Sequence, residues 1–366
     1  MNIGLRPSSV EEHLGAWRPA AEGHDFLFDA VLVPVHQGAR RAPILNEDQL
    51  GVLPMHVKTR RSVKRISVLL ALFAAFAFAA TAATAAPVPS VVYNAIPTPL
   101  PPNVASLGFE ATSTSEFGDY VHLVGTDRVL KTVTVTMSDW ALYSDYATDV
   151  RYAGNSATWS HPITVNVYSN HLGPNGAPDT LLATQTQTVV IPWRPAADPT
   201  CPNGGTAWRA GDGNCYNGIA FNAVFDLSSL SAVLPNDVIV GFAFNTADYG
   251  ATPIHAAGPY NSLNVGVPTG QTASVGSDDS SDRVFWNTSF APFYTDGGAG
   301  GVGIFREDTN WAPNGTVAFQ ITASAPLVGP PTSKDQCKGD GWKTFNNPSF
   351  KNQGDCVSYV ATGGRH

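Results

Sequence analysis

Apolar residues recur at every second position in six separate stretches of this 366-residue chain. In one of them, Val133, Val135 and Met137 are interleaved with threonines. This two-residue period is typical of β-strands that bury one face. The other stretches are 163–167, 219–225, 238–244, 263–267 and 317–321.

Weaker alternation at four further places brings the expected number of strands to about ten. No amphipathic helical pattern of about twelve residues or more accompanies them in this region. Since each strand would bury only one face, two sheets must stack to close a core. The sequence therefore predicts an all-β fold over residues 104–325, an antiparallel two-sheet β-sandwich of jelly-roll type. A small disulfide-stapled appendage of short helices is expected at 333–366.

A basic segment followed by an apolar one precedes the strands. Five of the eight residues at 58–65 are Lys or Arg, residues 66–80 are almost wholly apolar, and Ala83-Thr84-Ala85 follows. Basic, apolar and small-residue regions in this order are typical of a secretory signal peptide. We predict a signal peptide at 55–85 with cleavage after Ala85. An uncleaved signal anchor is the alternative, because residues 66–86 approach the roughly 20 that span a bilayer.

The position of this segment affects how its neighbours are interpreted. Because a signal acts from the N-terminus and Met55 opens its basic region, residues 1–54 are expected to be an unstructured upstream extension from a misassigned start. A cytoplasmic extension on a signal anchor is the alternative. Residues 86–103 contain six prolines, which predict an extended linker. A second, shorter linker is expected at 326–332.

Charge restricts the class of partner. Residues 86–366 contain 12 Lys and Arg against 22 Asp and Glu, and the excess of acid lies in the body, because residues 328–366 are slightly basic. A negative surface disfavours nucleic acids and anionic membranes as partners. We expect no nucleic-acid partner and no membrane span after signal cleavage.

All four cysteines follow the signal segment, and exported chains enter an oxidising space. Two disulfides are therefore expected, with three connectivities available. We favour Cys201 with Cys215 and Cys337 with Cys356, because each pair closes a short loop. Zinc binding is the alternative, although neither pair has the usual ligand spacing nor a histidine pair beside it.

The tail has signals for two short helices. Ser333 and Gln336 have the spacing of a capping box. A second helix is expected at 353–362, ended by Gly363 and Gly364. Such a unit is too small for a core of its own, so the Cys337–Cys356 bridge would substitute for one.

The tail also resembles a known sequence motif. SKDQCK at 333–338, GWKTF at 341–345 and NPSFKNQGDCVSYVATGG at 347–364 are similar to a short Cys-containing C-terminal motif of secreted actinobacterial-type proteins. The resemblance implies a bacterial, extracellular context and a portable tail, without implying a reaction. The body resembles secreted bacterial jelly-roll domains in pattern only, and no site residue is carried over from them.

The exported part lacks the nucleophile-elbow, zinc-protease, Walker and dinucleotide motifs. A glycosidase needs only two carboxylates, which need not be close in sequence. Glu110, Glu116, Glu307 and Asp308 could supply such a pair, but acidic residues are numerous enough for pairs to arise by chance.

Two loop features suggest binding. Aromatic rings in long loops could stack on a sugar or insert into a partner, and we select Trp140, Trp159, Trp193 and Trp208 for this role; packing beneath their own loops is the alternative. Asp278, Asp279 and Asp282 share one loop, and oxygen ligands of this kind suit calcium. A solvated turn is the alternative there, and no other cofactor is expected.

The first functional hypothesis is a secreted bacterial protein, extracellular or at the cell surface, whose non-enzymatic β-sandwich binds a glycan or a surface protein. The second is a secreted polysaccharide-acting hydrolase with a carboxylate pair that the sequence does not identify. A cleft with two convergent carboxylates would favour the second hypothesis.

Overall fold

The computed structural model describes residues 88–202, 205–250 and 252–364. The predicted signal peptide at 55–85 and the upstream extension at 1–54 lie outside the described residues. The strands, in chain order, are β1 Ser90–Asn94, β2 Ser106–Gly108, β3 Thr114–His122, β4 Val129–Asp139, β5 Thr158–Ser169, β6 Leu181–Pro192, β7 Trp208–Arg209, β8 Cys215–Tyr216, β9 Ile219–Asp226, β10 Asp237–Ala243, β11 Leu263–Gly266, β12 Ser277–Asp278, β13 Arg283–Thr288, β14 Arg306–Thr309 and β15 Phe319–Ser324. Two α-helices accompany them, α1 Tyr143–Tyr146 and α2 Gln353–Ala361.

The strands form two large antiparallel sheets. Sheet A has the order β1-β15-β4-β11-β2, with β9 on the other edge of β4. Sheet B has the order β14-β13-β3-β10-β5-β6, and the short β12 also pairs with β3. The strands β7 and β8 form a separate two-stranded ribbon.

The core lies between sheets A and B. Alternate residues of the strands point into it, so that Phe117 and Phe242 of sheet B and Val135 and Phe319 of sheet A are fully buried. The rings of Phe242 and Phe319 meet across the gap, with centroids 5.7 Å apart. The predicted antiparallel two-sheet β-sandwich is confirmed, and each of the six strongly alternating stretches overlaps a strand. The jelly-roll topology stays a prediction.

The linker predicted at 86–103 is wrong for its first half. Ser90–Asn94 is strand β1, which pairs with the last strand, β15. Tyr93 of β1 is fully buried against Phe319, with ring centroids 4.8 Å apart. The prolines flank this strand without interrupting it, and Val91, Val92 and Tyr93 are good strand formers. The sandwich therefore begins at Ser90, not near Val104.

Both predicted disulfides are present, Cys201–Cys215 and Cys337–Cys356. They indicate that the chain matures in an oxidising environment. Among the described residues, none of the helices is long and apolar enough to cross a membrane.

The C-terminal appendage is organised around its disulfide. Short 3-10 turns cover Lys334–Cys337 and Gly341–Thr344, and α2 follows. Cys337, Phe350 and Cys356 form a small buried cluster against which Trp342, Phe345, Val357, Tyr359 and Val360 pack.

The caps of this appendage agree with the sequence signals. The backbone N–H of Ser333 donates to Gln336 Oε1 at 3.1 Å, and the Asn352 side chain accepts from the Asp355 N–H at the start of α2. At the other end, the Gly363 and Gly364 N–H groups donate to the carbonyls of Val360 and Tyr359. Both glycines have positive φ, the conformation that ends many helices.

Candidate ligand-binding groove

The outer face of sheet B carries a surface groove. Five adjacent strands each place one residue in a single cross-strand row on this face: Asn287 of β13, Glu116 of β3, Ala243 of β10, Thr164 of β5 and Thr186 of β6. This row lines a groove of about 630 Å³. Its walls include Ser115, Pro162, Asn166, Phe244, Asn245, Gly250, Thr252, Ser289 and Gly303. We call it the Glu116 groove.

Two glycines occupy the neighbouring cross-strand row. Gly118 of β3 pairs directly with Gly241 of β10, so two adjacent strands lack a side chain at this point. The Glu116 side chain leans over Gly241, whose ideal Cβ would lie 2.2 Å from Glu116 Oε1. Glycine at 241 therefore permits the position of this carboxyl group.

The Glu116 carboxyl group is held through one of its two oxygens. Oε1 accepts hydrogen bonds from Asn166 Nδ2 at 2.9 Å and from the Tyr168 hydroxyl at 3.0 Å. The Thr184 hydroxyl donates to Asn166 Oδ1 at 2.7 Å and so orients that amide. Oε2 has no hydrogen-bond partner among the described residues. Burial raises the pKa of Glu116 above its usual range, and the two hydrogen bonds oppose that rise.

A second oxygen without a partner lies beside it. Asn287 Oδ1 is buried and has no hydrogen-bond partner among the described residues. Asn287 is the direct cross-strand partner of Glu116, and side chains so placed have Cβ atoms about 4.5–5.5 Å apart. Since buried polar atoms in native proteins are almost always hydrogen-bonded, Asn287 Oδ1 marks a place for a donor from outside the fold, with Glu116 Oε2 available beside it.

The rest of the groove is uncharged and mixes polar side chains with apolar ones such as Phe244 and Pro162. Its described lining includes no Lys, Arg or His, and Glu116 is the sole acidic residue among these lining residues. The hydroxyls of Thr164 and Thr186 share one hydrogen bond of 2.7 Å and keep further capacity for a ligand. The groove can therefore exchange hydrogen bonds with a hydroxylated ligand, but it lacks a second carboxylate in the described lining.

Of the acidic residues predicted to supply a catalytic pair, only Glu116 lies in the Glu116 groove. Glu110 does not line the Glu116 groove, whereas Glu307 and Asp308 line a depression of about 450 Å³ beside β14. Glu307 there pairs with Arg283 at 3.5 Å, and Asp308 accepts from the Trp311 indole at 2.9 Å. Burial raises the pKa of Asp308. Each of these two carboxylates thus has a partner within the fold.

Three of the four tryptophans predicted to bind ligand are buried. Trp159, Trp193 and Trp208 are 3%, 6% and 9% exposed. Their indole N–H groups donate to Asp139 Oδ2, the Asn155 carbonyl and the Gly218 carbonyl, in that order. Because these acceptors lie within the fold, the rings can be buried at little cost, and the prediction of exposed stacking platforms is wrong for these three.

Trp140 differs from the other three, since it is 43% exposed. Its indole N–H donates to Ser138 Oγ at 3.0 Å. It follows strand β4 of sheet A and is not part of the Glu116 groove. Its binding role stays a prediction.

The predicted calcium ligands do not converge. Asp278 accepts from the Thr316 hydroxyl at 2.5 Å, Asp279 pairs with Arg283 at 2.5 Å, and Asp282 accepts from the Ala312 N–H at 3.3 Å. Within the described ranges there is no group of three or more His, Cys, Asp or Glu placed to hold a metal ion.

Sequence reasoning did not single out Asn166, Tyr168 or Asn287, because outward-facing polar residues on strands are ordinary. The signal that could have pointed to the Glu116 site is the glycine at 241, inside the otherwise strongly apolar strand β10. Glycine in a strand interior often marks a place where another group approaches closely.

Comparison of the chain with protein-family models, with curated proteins and with solved structures gave no match. Function is therefore argued from the chemistry of the groove.

Proposed function

We propose that this chain is a secreted bacterial protein, extracellular or at the cell surface, whose β-sandwich binds carbohydrate through the Glu116 groove. The observation that carries the proposal is the buried Asn287 Oδ1, which has no hydrogen-bond partner among the described residues and lies on the strand next to the Glu116 carboxyl group in the groove. Sugars present several hydrogen-bond donors close together, and amide and hydroxyl side chains complement them.

The groove favours binding over hydrolysis. Most glycosidases use two carboxyl groups about 5–10 Å apart that flank the scissile bond. The described lining of the groove supplies only Glu116. A raised pKa suits a general acid, but one carboxyl group gives neither the nucleophile nor the base that the reaction also needs.

The extracellular location rests on two features. The disulfides at Cys201–Cys215 and Cys337–Cys356 fit an oxidising compartment, and the segment at 55–85 has the composition of a signal peptide. Mass spectrometry of the exported protein tests this part. A mature N-terminus at Ala86 supports export by signal cleavage, and a mature protein that retains residues before Met55 contradicts it.

Binding to a panel of soluble oligosaccharides tests the groove. We expect at least one oligosaccharide to bind the intact protein and to lose about tenfold or more in affinity on Glu116→Gln, since a hydrogen bond to a charged group is worth about 1.5–3 kcal/mol. Asp145→Asn is the matched control, because Asp145 is exposed and lies in α1, outside the groove.

Circular dichroism and thermal melting of each variant establish that it is folded before its binding is measured. Failure of the whole panel to bind, or equal binding by the Glu116→Gln variant, would contradict the proposal.

A further inference from the structure

We infer that the Glu116 groove recognises a sugar residue that carries a protonated primary amine. The inference rests on the proposed function, since it names the class of glycan that the same groove would take. It follows from the number of acceptors, from the charge of the groove and from the charge of the surrounding domain.

The two unmet groups are both acceptors and lie side by side. Asn287 Oδ1 is buried without a hydrogen-bond partner among the described residues, and the hydrogen bonds to its cross-strand partner Glu116 go to Oε1, which leaves Oε2 for a ligand. Two neighbouring sugar hydroxyls could donate to the two oxygens, but each would add acceptor lone pairs to a place that already holds two acceptors, whereas one ammonium group has three donors and no acceptor. One ammonium group placed between β3 and β13 would satisfy both oxygens.

The charge of Glu116 also favours a protonated amine as the ligand. A buried carboxylate is costly unless it is paired, and the described lining of the groove contains no cationic side chain. Burial raises the pKa of Glu116 and the two hydrogen bonds from Asn166 and Tyr168 to Oε1 only oppose that rise, so the ionised form lacks full compensation within the fold. The missing element is a positive charge at Oε2, which a protonated amine provides.

The hydroxyl and amide groups further along the groove suit the sugar ring that carries the amine. Thr164 and Thr186 bond to each other and keep lone pairs for a ligand, and Ser289 and Thr252 also line the groove. The groove therefore joins one site for a cation to several sites for hydroxyl groups. A lysine side chain would fill the first and leave the others unused.

The net negative charge of the whole domain also favours a cationic ligand. Residues 86–327 contain 7 Lys and Arg against 19 Asp and Glu. A negative surface attracts a polycation and repels an anionic polysaccharide.

The test compares three oligosaccharides of equal length by calorimetry, at a pH at which the amines are protonated: one of glucosamine, one of N-acetylglucosamine and one of glucose. We expect the glucosamine oligosaccharide to bind the intact protein about tenfold or more tightly than the other two, since a charge-assisted hydrogen bond is roughly twice as strong as a neutral one. Glu116→Gln should remove this preference, and Asn287→Ala should reduce it. Asp145→Asn should leave it unchanged.

The outcomes separate the inference from the proposed function. Equal affinity for the three oligosaccharides, with loss on Glu116→Gln, overturns the amine inference and retains glycan binding. No binding of any oligosaccharide overturns both. An oligolysine peptide that binds more tightly than the glucosamine oligosaccharide overturns the inference in favour of a protein ligand. The comparison of ligands on the unmodified protein decides the matter even if a variant fails to fold.

Discussion

Gly241 lies beneath the carboxyl group of Glu116 so closely that a Cβ atom there would be 2.2 Å from Oε1. Gly241 belongs to β10 and Glu116 to the neighbouring β3, and the Phe305 ring tip would be 2.9 Å from the same Cβ. The position of the acid thus depends on the absence of a side chain on the next strand.

Gly241→Ala should weaken glycan binding about tenfold or more, because the methyl group displaces the Glu116 carboxyl group from Asn166 and Tyr168. Both crowded atoms are ends of side chains that can move, so we expect a loss of about 1–3 kcal/mol in the free energy of unfolding and a retained fold. Gly211→Ala is the control, since a Cβ there meets nothing within 4 Å. Full binding by the Gly241→Ala variant would show that the carboxyl position is unimportant.

Tyr93→Ala should destabilise the sandwich by about 3–5 kcal/mol, the usual cost of removing a large buried aromatic ring. Tyr93 is fully buried on β1. Val91, 39% exposed on the same strand, gives the control, and Val91→Ala should cost less than about 1 kcal/mol. Urea unfolding measures both. Equal and small effects would mean that β1 does not contribute to the core.

The contrast between β1 and the groove shows what sequence patterns can predict here. Alternation located β4, β5, β9, β10, β11 and β15, because a half-buried strand imposes a period of two on its own residues. The strand β1 is only five residues long, too short for a period to be distinguished, and its partner β15 is more than 200 positions away in the sequence.

The groove escaped prediction for a related reason. Its members come from five strands, and their meeting depends on the register between strands, which a pattern within one strand does not encode. Glu116 lies outside the six alternating stretches, and β3 does not alternate cleanly, since Asp119 is buried as deeply as Phe117 and Val121. The tryptophans show the opposite error. Rings in long loops were expected at the surface, but three of the four are buried, because their indole N–H groups donate to acceptors within the fold, such as Asp139 for Trp159.

Asp139 gives the protein a pH-dependent stability. Burial raises its pKa to about 7, although hydrogen bonds from Trp159, Ala141 and Trp140 and the charge of Arg194 lower it. In the unfolded chain the pKa is about 3.9. Because the folded state retains the proton to higher pH, this contribution to stability is fully present below about pH 4 and is lost as the pH rises to about 7.

Asp139→Asn should remove that contribution. The difference in unfolding free energy between the variant and the unmodified protein should change by about 4 kcal/mol between pH 4 and pH 7. Asp145→Asn, the same substitution at an exposed position, is the control variant. An unchanged slope in the Asp139→Asn variant would mean that Asp139 is ionised in the folded protein throughout this range.

The appendage should depend on its disulfide. Replacing Cys337 and Cys356 together by Ser removes a bridge across 19 residues, worth about 3 kcal/mol, from a unit whose buried cluster otherwise contains only Phe350. We expect limited proteolysis to cleave within 333–364 while the melting temperature of the sandwich is retained. The matched Cys201 and Cys215 double substitution should leave the tail protected. A tail that resists protease without its bridge would contradict this account.

The most direct test of the Glu116 groove is an NMR titration that follows side-chain amide signals while the glucosamine oligosaccharide is added. We predict that the Asn166 and Asn287 signals shift in a saturable manner, because both amides line the groove. The Asn222 signal should remain fixed, because Asn222 accepts from Thr136 in sheet A, away from the groove. Saturable binding that moves Asn222 or the Trp140 indole signal and leaves Asn166 and Asn287 unmoved would contradict the central claim.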